Sequence, residues 1–320
     1  MLLTTATMSI GTAAQAAAMH KTYRVAYLSY ALANSYDAPM LAAAKAVAAA
    51  DGIKVTVFDA QNSYTTQVSQ LQDVVNSGQY QGIIVQPIYG AALIPGVKAA
   101  IKKKIKVVNI DQILGKSYTT DQIQVPGLSG NVVFFPSKIG TQLATLTNQA
   151  CAGANPCNVG LVHNFEGYEP DAAITASFKA QLAKYSGDSV VAEADGQYAI
   201  AVALTAVQDM LVANPSLNVI VGSDQDCEGA QSALTAAKST TVKLVCYGAS
   251  AAGLAGVKSG AWFADVAQAP ATEGQEGMIA LAKAMKTGKG SGAENPVAAL
   301  PDKGILTKSD VSKFTAEWPG

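Results

Sequence analysis

The segment KVVNIDQILG, residues 106–115, runs a β-branched apolar stretch into a carboxylate and a carboxamide, Asp111 and Gln112. An ionised carboxylate accepts two hydroxyl donors, and a carboxamide both donates and accepts. Bonds to the charged group are the stronger ones. The pair therefore suits the hydroxyls of a small polar ligand. Other polar and aromatic residues gather at the ends of apolar runs: Ser29 to Asp37, Asp59 to Asn62, Gln86 to Tyr89, Asn164 to Glu169, Asp224 and Gln268. Catalysis has poorer support. The chain has no G-x-S-x-G, H-E-x-x-H, P-loop or G-x-G-x-x-G pattern. Its two histidines, His20 and His163, stand in no recognisable triad or zinc spacing. Glu166 and Glu169 are close in sequence, but spacing does not define a glycosidase pair.

Cys151 and Cys157 flank the turn-rich AGANP, and Cys227 and Cys246 lie 19 residues apart. In an exported protein these read as two disulfides; four buried thiols are the alternative. Export is suggested by the uncharged, Ala- and Thr-rich start, MLLTTATMSIGTAAQAAAMH, whose AQA at 14–16 fits cleavage after Ala16. The basic stretch that opens such signals is missing, which favours a start drawn too late. No cysteine follows to carry a lipoprotein anchor, and no other apolar run is long enough to span a membrane.

The elements that must position these groups alternate regularly. With 49% hydrophobic and 14% charged residues, the 320-residue chain can bury large cores in about two domains. A net charge of −1 argues against nucleic acid or an anionic membrane surface as partner. From Tyr23 the pattern is strand (YRVAYLSY), helix closed by Gly52, strand (IKVTVFDA), helix closed by Gly78, strand (GIIVQP), helix, strand (IKVVNID). Pro95 predicts a break or a second start in the third helix. The alternation resumes at PCNVGLVHNF and continues through DAAITASFKAQLAKYSG, SVVAEADG, AIAVALTAVQDMLVANP, LNVIVGSD, CEGAQSALTAAKS, VKLVCYGA and WFADVAQAP. These repeats predict an α/β chain of two doubly wound parallel-sheet lobes, with ligands beyond the carboxyl ends of the strands.

Several phrases are similar to the ribose-type periplasmic sugar-binding proteins, type I solute receptors of ABC transporters. They are VTVFDAQNSYTTQVSQLQDVVNSGQYQGIIVQP, AIKKKIKVVNID, QDMLVANPSLNVIVGSDQDCEGAQSAL and ADVAQAP, within residues 23–290. The resemblance implies two lobes joined by three crossover segments, near 126–130, 267–271 and 296–300. The N-terminal lobe would be 23–128 plus 269–297 and the C-terminal lobe 129–268 plus 298–320, after a signal or disordered segment 1–22. The lobes would close on a neutral monosaccharide or polyol by a hinge motion.

The resemblance also implies a ligand set. Asn34 and Tyr36 sit where the family has an Asn and an aromatic, and Asp111 matches an aspartate that accepts two adjacent ligand hydroxyls. Tyr198 matches a ring-flanking aromatic, Ser223 and Asp224 fall at an Asn-Asp position, and Gln268 matches a hinge glutamine. Gln112, Tyr89 and Glu169 are further candidates. Asn34, Ser223 and Asp224 also stand at helix starts, where capping is the competing role. Three positions depart from the family: Gln112 and Ala172 replace arginines, and Gly248 replaces an aspartate. Ribose itself is therefore in doubt. The implied partners are the small solute and a membrane permease, with a monomeric receptor and no cofactor or metal. A sensory receptor of the same fold, or an amino-acid or amide receptor, is the alternative.

Overall fold

A computed structural model describes residues 22–165 and 167–320. The expected signal segment, apart from Thr22, lies outside the described residues, as does Glu166. The first lobe begins with β1 (Arg24–Ser29), α1 (Asp37–Ala50), β2 (Lys54–Asp59), α2 (Tyr64–Ser77), β3 (Gly82–Val85), α3 (Gly90–Lys102) and β4 (Lys106–Asp111). Val25 to Leu28 and Ile83 to Val85 are wholly buried, so these strands read as unbroken apolar runs with helices on both faces. Ser63 caps α2 by accepting from the Thr66 amide, and Gly78 ends it in the left-handed conformation at φ 64°.

β5 (Gly130–Val133) and α4 (Pro136–Ala150) follow. Then come β6 (Cys157–His163), α5 (Glu169–Leu182), β7 (Asp188–Asp195), α6 (Ile200–Ala213), β8 (Val219–Ser223) and α7 (Asp224–Ala236). β9 (Lys243–Gly248), α8 (Ala251–Ser259), β10 (Ala264–Ala267), α9 (Pro270–Thr287), β11 (Gly292–Glu294) and β12 (Ile305–Thr307) complete the chain. The strand orders are β11-β5-β4-β3-β1-β2 and β12-β10-β9-β8-β6-β7. Neighbours are parallel except β12, which is antiparallel to β10. Counted within each lobe, both cores have the order 2-1-3-4-5, with a final edge strand added from the C-terminal segment. Each sheet therefore opens a crevice at its carboxyl end beside its first strand, where the winding reverses.

β5 pairs with β4 in the first sheet, so the chain is still in that sheet where a crossing near 126–130 was expected. α9 packs on α1 and β4, β11 pairs with β5, and β12 joins the second sheet. Helices α4, α8 and α9 and strand β5 carry no distinct sequence signal. Neither the expected break nor a second start occurs at Pro95: α3 runs through it. Proline removes the donor to Ala91, near the helix start, while buried Leu93, Val97 and Ala100 hold the face on either side.

Disulfides join Cys151 to Cys157 and Cys227 to Cys246, with Cα separations of 5.7 and 6.2 Å. The first closes the turn from α4 to β6, and the second ties α7 to β9. The denatured, unreduced protein should show no titratable thiol by a thiol-reactive dye. Four thiols per chain would contradict both pairings.

Candidate functional site

The two crevices face each other across a cleft of about 560 Å³. The turns after the strands supply its walls because side chains there are freed from the sheet. From the first lobe come Tyr30 and Ala31 after β1, Asn34 to Asp37 at the start of α1, Asn62 after β2, and Asp111 and Gln112 after β4. The second lobe contributes Phe165 and Tyr168 after β6, Gln197 and Tyr198 after β7, and Ser223, Gln225 and Tyr247. Gln268 enters from the β10–α9 connection, and Trp318 from the C-terminal segment.

Asp111 is the pivot of the first wall. Its φ of 64° turns the chain sharply out of β4, a conformation Asp tolerates better than most residues. Only 2% of it is exposed. Gln86, wholly buried after β3, donates its Nε2 to Asp111 Oδ2 at 3.0 Å and to Asp37 Oδ1 at 2.6 Å. Gln112 Nε2 donates to Asp111 Oδ1 at 3.2 Å, and the Ala31 amide donates to Asp37 Oδ2 at 3.2 Å. Gln86 is itself fixed, since its Oε1 accepts from the Tyr30 amide and its carbonyl from Gln67. Each Asp111 oxygen thus has one protein donor and capacity for another.

Burial pushes the Asp111 carboxyl up to about 8, with Asp37 adding a like charge and the two glutamines pulling the other way. Burial likewise pushes Asp37 up to about 7. Among the described residues the ion pairs are Lys179–Glu193, Lys286–Asp51 and Lys313–Asp310, all away from the cleft.

Aromatic rings line both walls. Tyr30 and Tyr168 meet edge-on across the lobes at 6.4 Å, and Tyr36 meets Trp318 edge-on at 5.4 Å. Tyr198 lies 5.8 Å from Phe165. Its φ is 51°, its amide donates to Asn164 Oδ1, and its hydroxyl donates to buried Asp171. With the hydroxyl held there, the ring is the part of Tyr198 left to face a ligand.

The cleft gathers seven of the expected ligand residues: Asn34, Tyr36, Asp111, Gln112, Tyr198, Ser223 and Gln268. Two of them also do local work. Asn34 Oδ1 accepts from the Tyr36 amide, and Ser223 closes a capping box with Asp226. Three others lie elsewhere. Asp224 is wholly buried as the first residue of α7, where Oδ2 accepts from the Ser250 amide at 2.7 Å beneath α8. Tyr89 precedes α3 and packs edge-on against Tyr64 at 5.9 Å, outside the cleft. Glu169 opens α5, and its Oε2 accepts from Tyr118 at 2.8 Å, a contact between the lobes rather than with the cavity. Strand-end position alone does not distinguish a side chain aimed at the crevice from one turned under the next helix.

Sequence reasoning did not single out Asp37, Tyr30, Tyr168, Tyr247 or Trp318. Trp318 explains one departure. A Cβ on Gly248 would come within 2.7 Å of the Asp224 carboxyl carbon and 2.8 Å of the indole, whose Nε1 donates to the Gly248 carbonyl at 2.9 Å. The indole and the Asp224 carboxyl together fill the room a longer side chain would need.

A family model described as a periplasmic binding protein domain matches residues 25–290. The chain belongs to this family. The match covers both lobes from β1 through α9; β11, β12 and Trp318 follow it. Among curated relatives, the ribose import binding protein of Haemophilus influenzae is 24% identical over 240 residues, covering 73% of this chain and 76% of the relative. A xylitol-binding protein of Mycolicibacterium smegmatis is 26% identical over 266 residues, covering 82% and 71%. The fold is shared with an ABC transporter solute-binding protein from Actinobacillus succinogenes with bound D-allose (TM-score 0.77, 19% identity, 92% and 100% of the two chains). It is shared equally with one from Bacillus halodurans with bound myo-inositol (TM-score 0.77, 19% identity, 93% and 98%). Periplasmic binding proteins are a substrate-binding class, and the cleft of this member is the place in its fold for a substrate.

Proposed function

We propose that this periplasmic binding protein is the extracytoplasmic receptor of an ABC importer and that its interlobe cleft takes a small polyhydroxylated solute, a monosaccharide or polyol. The observation that carries the reading is the composition of the cleft: acid and amide acceptors in one wall, amides in the other, and aromatic rings in both. A sugar presents hydroxyl edges and apolar CH faces, which these groups complement. Each hydrogen bond contributes about 0.5–1.5 kcal/mol, or about 1.5–3 when one partner is charged. Several together reach the roughly −8 kcal/mol of micromolar binding after ordering costs. The relatives named for ribose and xylitol, and the neighbours holding D-allose and myo-inositol, support the same solute class.

The lobes are 23–133 plus 270–296 and 134–269 plus 297–320, since Ala269 and Val297 pack in the second lobe's core. They close about the segments between them, with Tyr118–Glu169 and Tyr30–Tyr168 meeting across the mouth. The receptor acts outside the cytoplasm as a monomer, presents its closed form to a membrane permease, and performs no chemistry on the solute. A thermal-shift screen over monosaccharides, polyols and amino acids tests this, because a ligand that binds only the folded state raises the melting temperature. Stabilisation by one or a few sugars or polyols is expected. Stabilisation by amino acids alone would overturn it. Tyr198→Ala should weaken the identified ligand about tenfold in calorimetry through loss of ring contact, while Tyr198→Phe should bind nearly as well as the parent.

A further inference from the structure

The charge around Asp111 is one-sided. Asp37 on α1 sets a like charge against it, and Asp111 in turn bears on Glu273 of α9 and on the phenols of Tyr27, Tyr30, Tyr36 and Tyr168. All are acids or phenols. Among the described residues lining the cleft, none is lysine, arginine or histidine. Asp37 at least begins α1, where the helix amides supply partial positive charge. Asp111 ends a strand and has two neutral amide donors, one of which it shares with Asp37. Behind them Glu273 is wholly buried, and neither of its carboxyl oxygens has a hydrogen-bond partner. The Tyr36 hydroxyl beside it is buried and unpartnered as well.

A buried carboxylate with no counter-charge is costly and needs a cation or a proton. Asp111 belongs to no cluster of metal-ligating side chains: among the described residues, the one group of three or more His, Cys, Asp or Glu side chains close enough to hold an ion is Cys151, Cys157 and Asp188, whose two sulfurs are bonded to each other. The rings offer what an organic cation uses: phenol and indole faces attract ammonium groups, more strongly where water is excluded. Asn34, Asn62, Gln112, Gln197, Gln225 and Gln268 meanwhile supply donors and acceptors suited to several hydroxyls.

We propose that, within the polyhydroxylated class, the cleft selects a solute carrying one ammonium group, an amino sugar or amino polyol, with the ammonium on Asp111 and the hydroxyls on the surrounding amides. This rests on the solute class proposed above and narrows it. A neutral solute leaves the acidic wall uncompensated on closure unless Asp111 keeps a proton. An ammonium compensates it and makes charge-assisted hydrogen bonds.

Calorimetry at pH 6.5 with matched pairs tests the inference: D-glucose and D-glucosamine, D-galactose and D-galactosamine, D-glucitol and 1-amino-1-deoxy-D-glucitol. In at least one pair the amine should bind tenfold or more tightly than its neutral counterpart. N-acetylation, which removes the charge, should abolish that preference. In Asp111→Asn the two members of the pair should bind within threefold of each other. If the neutral member binds as well as or better than the amine in every pair that binds, the ammonium inference is overturned and the polyhydroxylated reading stands. If stabilisation and binding come only from compounds without several hydroxyls, the broader reading falls with it.

Discussion

Replacing Asp111 by alanine is expected to lower affinity for the cognate solute at least a hundredfold while the protein stays folded. The carboxylate is held by Gln86 and Gln112 with one acceptor site free on each oxygen. Loss of a charge-assisted bond inside a closed cleft costs the bond and also leaves ligand donors unpaired, together about 3 kcal/mol or more. Alanine carries a separate small penalty at φ 64°, of about 1 kcal/mol. Asn tolerates that conformation, so Asp111→Asn separates the two effects. Both variants should show a smaller ligand-induced thermal shift than the parent, and Asp111→Asn should melt at or above the parent temperature at pH 8. A parent-like affinity in either variant would remove Asp111 from the site.

The second large effect is on stability. Asp37, Asp111, Asp171, Asp224, Asp226, Asp265 and Glu273 are all at most 5% exposed. Burial, the largest cause for each, raises Asp224 to about 6, Asp37, Asp171 and Asp226 to about 7, and Asp111 to about 8. Asp265 and Glu273 are also held well above the ordinary carboxylate range, Asp265 with the adjacent Asp224 charge adding to the effect. In the unfolded chain these groups ionise near pH 4. Between about pH 4 and pH 8 the native state therefore binds more protons than the unfolded state, and stability falls as pH rises. A single such group removes about 1.4 kcal/mol per pH unit within its window. The melting temperature of the ligand-free protein should drop by ~10 °C or more from pH 5 to pH 8. A flat or rising profile would show that these carboxyls are solvated or paired in solution.

Most of the α/β alternation was legible because doubly buried strands are short apolar runs and their helices end at glycines such as Gly52 and Gly78. Helix α4, with its threonines, α8, with three glycines among its nine residues and the bend after it, and α9, with polar residues in its first turns, owe their form to packing, so composition obscured them. At the site, Asp111 stood out because it sits where a strand meets a turn, and Tyr198 because it matches a ring-flanking aromatic of the family it resembles; both prove to have positive φ. Asp224 occupies an equivalent sequence setting but becomes the first residue of a helix, which turns it toward Ser250. Trp318 was illegible for another reason. It reaches the cleft from the C-terminal segment by packing beside Gly248, 70 residues earlier, where the missing side chain leaves room for an indole. No local pattern encodes that pairing.

The chain has two tryptophans, and their positions give the central claim its most direct test. Trp318 borders the cleft, whereas Trp262 is 1% exposed in the second lobe's core with its Nε1 bonded to Gln231. Titration of the protein with the sugar or polyol that raises its melting temperature should change tryptophan emission saturably, at one solute per chain, and Trp318→Phe should abolish the change. A solute that binds with no change at Trp318, or a saturable change produced by amino acids alone, would contradict capture of a polyhydroxylated solute between the lobes.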